Sequence, residues 1–137
     1  MLAHEAWLFK ADNDLKTAKK LIRDPEDVIL DTSIYHTQQA AEKALKAYLA
    51  FKLQPIQKVH DLEYLVKICS TFDIRFKKLA PCAKLLQPYC FDFRYPDDIL
   101  LPDLKEVQEA LVCAEKIVHS VKNIIKEPQD STLSIFE

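Results

Sequence analysis

The sequence predicts an all-α fold, an up-and-down antiparallel bundle of four to five helices. Three features lead there. The 137 residues contain no glycine, the residue that supplies the positive-φ positions of tight hairpins and phosphate-cradling loops. Apolar residues recur at spacings of three and four over long stretches, the period of an amphipathic helix. The breaks between those stretches are short, most of them marked by proline. The absence of glycine also excludes the P-loop and the dinucleotide-binding fingerprint.

Length and composition fit one domain, with residues 1–127 forming the bundle and residues 128–137 a frayed C-terminal tail. A hydrophobic content of 49% beside 29% charged residues is that of a soluble globular protein. Nineteen basic against 21 acidic residues leave a net charge of −2. No bulk pull toward nucleic acid follows, and a role there would need a local patch. Of the four cysteines, Cys69, Cys82, Cys90 and Cys113, none forms a CxxC pair or stands at zinc-finger spacing from a histidine. Free thiols in a reducing cytoplasm are expected, with no signal peptide, no membrane span, no metal and no cofactor.

The first helix is expected from about His4 to Arg23. Leu8, Ala11, Leu15, Ala18 and Ile22 make its stripe, widened by Trp7 and Leu21, and Asp24-Pro25 stops it. The second, Thr32 to Leu53, organises the chain. On a wheel of about 100° per residue, Ile34, Ala41, Leu45, Tyr48 and Leu49 share one arc. Ala40, Ala44 and Phe51 widen that arc, and Gln39, Lys43 and Lys46 gather opposite as a compact polar face. Thr32 or Asp31 is the expected cap, and the small residues Ala40, Ala44 and Ala47 would let a neighbouring helix come close. A third helix restarts at His60-Asp61-Leu62, with His60 able to cap it. A fourth carries Ile74, Leu79, Leu85 and Leu86, split or bent at Pro81 and Pro88. Residues 91–98, FDFRYPDD, lack helical period. The last helix opens near Pro102-Asp103, with Asp103 and Glu106 spaced as a capping box, and ends before Pro128.

Several polar residues stand out. Gln39, Lys43 and Lys46 share a helix face, which reads as a solvated surface or as two point charges and an amide for a phosphate. Gln38 falls inside the apolar arc. A buried amide must be satisfied, so it marks where another helix or a subunit docks. His60 beside Asp61 reads equally as a cap or as an imidazole oriented by a carboxylate. Arg94 and Tyr95 lie among Phe91, Phe93 and Pro96. There an arginine can stack on a base or fork a phosphate, or lock the loop through Asp97, Asp98 or Glu42. No HExxH, GxSxG or local cysteine-nucleophile signature occurs.

The order of the pieces is specific. YHTQQAAEKALKAYL, then HDLEYLVKI, then FRYPDD ahead of a long final helix, strongly resembles the HEPN domain (higher eukaryotes and prokaryotes nucleotide-binding) from about Glu5 to Lys126. The resemblance implies a bundle that forms a homodimer. It also implies pairing with a small nucleotidyltransferase of the MNT type, like the two parts of kanamycin nucleotidyltransferase. Many relatives are toxins of toxin–antitoxin pairs. These cleave RNA without a metal, using an arginine followed four to six residues later by a histidine. Arg23, Arg75 and Arg94 are the arginines here, and none is followed by histidine at that distance, which argues against ribonuclease activity. Carried over as candidate nucleotide-binding residues are Gln39, Lys43, Lys46, His60, Asp61, Arg94 and Tyr95. The expected function is a non-catalytic nucleotide-binding and partner module. Its rivals are a divergent ribonuclease with a rearranged site at His60 and Arg94, and a purely structural interaction bundle.

Overall fold

A computed structural model describes residues 1–56, 58–90 and 101–128 of the chain. Five α-helices occur among them: α1 Ala3–Leu21, α2 Leu30–Phe51, α3 Leu62–Phe72, α4 Ala80–Leu86 and α5 Leu104–Lys126. Short 3₁₀ turns, Ile74–Leu79 and Gln87–Tyr89, flank α4. The described residues contain no strand, as the missing glycines predicted. The expected tail beyond Pro128, the FDFRYPDD segment and Gln57 lie outside the described residues.

The pair α1–α2 is the most extensively packed, and α5 lies along α2. Small residues set that closeness: Ala11 and Ala18 of α1 and Ala40, Ala44 and Ala47 of α2 are fully buried. At the α1–α2 contact the Ser33 hydroxyl donates to the Ala18 carbonyl at 2.8 Å, an approach that bulky side chains would prevent. Ile34, Leu45, Tyr48 and Leu49 join Leu62, Leu65, Phe76, Leu79, Leu86, Ile117 and Val121 in one core.

The helix ends show which sequence signals held. At α5 the capping box forms: Asp103 accepts from the Glu106 amide at 2.7 Å, and the Glu106 carboxylate accepts from the Asp103 amide at 3.4 Å. Pro81 sits in the first turn of α4 and Pro88 in the first turn of the second 3₁₀ segment, dividing the fourth region as expected. At α3 the cap is Asp61, which accepts from the Tyr64 amide at 3.0 Å. It replaces His60, because a carboxylate accepts at a helix N-terminus more strongly than an imidazole. Helix α2 starts earlier than expected, with Ile29 as N-cap and no side-chain cap bond. The Ile29 amide donates to the Leu21 carbonyl at 2.9 Å, so packing against the end of α1 fixes this start. Asp31 accepts instead from the neighbouring Thr32 amide at 2.9 Å.

Helix α2 ends at Phe51, two residues before the expected limit. Leu53 takes a positive φ of 57°. Its amide donates to the Ala50 carbonyl and the Gln54 amide to the Leu49 carbonyl, both at 2.9 Å. That is a Schellman motif with leucine where glycine is usual, the consequence of a chain without glycine. Beyond it, Arg75 clasps two chain segments: Nη2 reaches Asp73 at 2.7 Å and Nη1 reaches Glu127 at 2.9 Å. The end of α3 is thereby tied to the end of α5. No helix of the described residues is long and apolar enough to cross a membrane.

Candidate functional site

Helix α2 is buried nearly all round, because α1, α5 and α3 surround it. The compact polar face expected opposite its apolar arc is largely enclosed, with Gln39 and Lys43 half-buried. Lys46 is 5% exposed and Glu42 3%, so an ion pair lies inside the bundle. Two polar clusters result, each built on a buried carboxylate.

In the first, Glu42 is the hub. Lys46 Nζ donates to Glu42 Oε2 at 3.0 Å, one turn along α2. The same ammonium lies 5.8 Å from the centroid of the Trp7 ring, a cation–π contact that helps offset desolvation. His60 Nδ1 sits 3.1 and 3.2 Å from the two Glu42 oxygens. Gln38, fully buried, donates to Glu42 at 3.4 Å and to the His60 carbonyl at 3.5 Å, and accepts from Gln39 at 2.8 Å. The amide is satisfied by the chain leading into α3. Gln38, expected to mark where another helix or a subunit docks, instead finds its partners on its own helix and in the loop before α3.

In the second cluster Asp14 of α1 is the hub. His36 Nδ1 lies 2.8 Å from Oδ1, and Lys43 Nζ donates to Oδ2 at 2.6 Å. Asp14 is 7% exposed. Both lysines proposed as phosphate ligands therefore already hold a carboxylate. An ammonium carries three N–H donors, so Lys43, half-buried, keeps donors for a further partner.

The structure brings Gln39, Lys46 and His60 into one network and sets Lys43 in the neighbouring one. Asp61 lies apart as the α3 cap. Arg94 and Tyr95, with their expected partners Asp97 and Asp98, are outside the described residues. Their segment follows Cys90, which accepts from Gln87 Nε2 at 3.9 Å. Burial pushes the Cys90 thiol up, and the negative charges of Glu42 and Asp61 add to the shift.

Chemically, the Glu42 cluster is a buried carboxylate fixing one imidazole nitrogen. His60 has 66% of its side chain exposed, so Nε2 is presented outward. Such a pair can exchange a proton with a ligand or hold an anion when the ring is charged. Sequence reasoning missed Glu42 as a hub and Asp14 altogether. Asp14 was legible: it lies about 60° from Ala11 on the α1 wheel, next to Trp7 and inside the apolar stripe. Glu42 sits about 20° from Leu49 on the α2 wheel, at the edge of the apolar arc, so its burial was legible there while its partner His60 was not.

Comparison with known proteins agrees with this architecture. The family described as HEPN domain matches residues 4–124. A Methanocaldococcus jannaschii protein named "Putative toxin MJ1304" is 29% identical over 135 residues, spanning 88% of this chain and 87% of its own. The crystal structure of ST0689, an archaeal HEPN homologue, superposes with a TM-score of 0.69 at 25% identity, covering 92% of this chain and all of that one. That of TT1696 from Thermus thermophilus gives 0.69 at 26% identity, covering 90% and 98%.

Proposed function

We propose that this chain, which belongs to the HEPN domain family, is the HEPN component of a toxin–antitoxin-like pair, a nucleotide-binding module that works as a homodimer with a small MNT-type nucleotidyltransferase. The observation that carries this reading is the Glu42–His60–Lys46–Gln38 cluster. A bundle that only filled space has no need of an ion pair there, since replacing a buried ion pair by well-packed hydrophobic side chains is often neutral or stabilising. The cluster instead keeps a carboxylate, an ammonium and an amide inside the fold beside one largely exposed imidazole. Lys43 and His36 add donors on the adjoining edge. The name of the Methanocaldococcus jannaschii relative points to the same functional setting. Calorimetric titration of ATP and GTP into the purified protein, alone and mixed with the product of the adjacent reading frame, tests the reading. Saturable binding weakened by His60→Ala and Lys43→Ala is expected. Absence of binding in both preparations, or binding indifferent to both substitutions, would overturn it.

One observation favours a second reading, a divergent ribonuclease. The Glu42-held imidazole has the geometry of a general base with its free nitrogen in solvent. RNA cleaved by the wild-type protein and left intact by His60→Ala would support it. RNA left intact by a partner-free wild-type preparation would exclude it.

A further inference from the structure

Trp7 is the chain's one tryptophan, and it borders both polar clusters. Lys46, itself buried, sits over the indole ring at 5.8 Å from its centroid. Trp7 also lines a groove of about 610 Å³, together with Met1, Ala6, Phe9, Lys10 and Lys43. Its floor is apolar and aromatic. Phe9 is 54% exposed and Met1 86%, so apolar surface of the groove faces solvent. Its cations come from two helices. Lys10 projects from α1 with no ion pair among the described residues. Lys43 reaches in from α2 with one of its three donors spent on Asp14.

From this combination we infer that the groove binds the base and phosphates of a mononucleotide, the base stacked on Trp7 and the phosphates on Lys10 and Lys43. The inference rests on the nucleotide-binding reading above and adds to it the ligand's orientation and two residues, Trp7 and Lys10, that the sequence did not single out. A planar aromatic ring satisfies the apolar floor, and stacking accepts any base because every base has a π-face. The negative charge satisfies Lys10, and Lys43 beside it, as point charges on flexible stems. A purely aliphatic ligand would leave both ammonium groups facing apolar surface. A bare phosphate would leave the aromatic floor wet. The base-bearing anion answers both halves of the groove.

Because Trp7 is the sole tryptophan, its fluorescence reports on this groove directly. ATP, ribose 5-phosphate and tripolyphosphate are titrated into the full chain while Trp7 emission is followed, with calorimetry in parallel. ATP should change the emission saturably. The two probes without a base should bind roughly tenfold more weakly or worse, the loss expected when a stacked base is removed. Lys10→Glu, at an exposed position that leaves the core untouched, should weaken ATP by about tenfold or more as an attraction becomes a repulsion. Trp7→Phe, read by calorimetry, should bind ATP more weakly than wild type but better than Trp7→Ala. Calorimetric ATP binding that leaves Trp7 emission and the Lys10→Glu affinity unchanged would overturn the stacking site while the nucleotide reading stands. No binding by calorimetry, alone or with the partner, would overturn both.

Discussion

Replacing Lys46 by methionine keeps the aliphatic stem and deletes the charge. In the folded protein this strands the Glu42 carboxylate, 3% exposed, with Gln38 at 3.4 Å and the Nδ1 of His60 at 3.1 Å as remaining partners. Breaking one side of a buried ion pair costs roughly 3–5 kcal/mol. Gln38 and His60 remain as hydrogen-bond partners of the carboxylate, which places this variant near the lower end. For a chain of this size about 3 kcal/mol corresponds to a fall in Tm on the order of 10 °C. Urea denaturation followed by circular dichroism measures it. Glu42→Gln combined with Lys46→Met removes both charges, and the pair should show a coupling energy of about 1–3 kcal/mol. Lys46→Met costing less than about 1 kcal/mol, or a double variant that is simply additive, would refute the reasoning. Lys46 would then behave as the exposed lysine that its wheel position suggested.

Three further outcomes follow from local geometry. Leu53→Gly should raise stability by about 1 kcal/mol in the same assay, since a leucine held at positive φ carries a steric cost that glycine does not. Arg75 holds the Asp73 and Glu127 carboxyls below their ordinary range, chiefly through its side-chain hydrogen bonds. A depressed folded-state pKa contributes stability that is present at neutral pH and lost as pH falls through the folded values, so the difference between wild type and Arg75→Ala should be present at pH 7 and vanish well below pH 4. His60→Ala should change stability by less than about 1 kcal/mol, because most of its ring is in solvent. Denaturation curves overlapping wild type, beside altered nucleotide binding, would separate its role from folding.

The fold was largely legible because its causes are local. Period and proline placement located α1, α3 and α5, and the Asp103–Glu106 capping box was readable from three-residue spacing alone. The start of α2 was not, since no side chain caps it and Ile29 is fixed instead by a backbone bond to Leu21. The candidate site was legible only in pieces. His60 and the polar residues of α2 could be picked out as types. Burial of Lys46 depends on Trp7 arriving from α1 and Glu42 reaching toward the loop before α3, contacts between residues far apart in the chain. A helical wheel treats each helix as having one wet side. It fails for a central helix packed by neighbours on several sides, where a charge opposite the main stripe can still be interior.

Co-expression of the tagged chain with the product of the adjacent reading frame, followed by size-exclusion chromatography with light scattering, tests the central proposal most directly. A short nucleotidyltransferase that co-elutes with a dimer of this chain in fixed stoichiometry is the expected result. A neighbour of unrelated chemistry, or a nucleotidyltransferase that elutes apart from this chain with and without ATP, would contradict it.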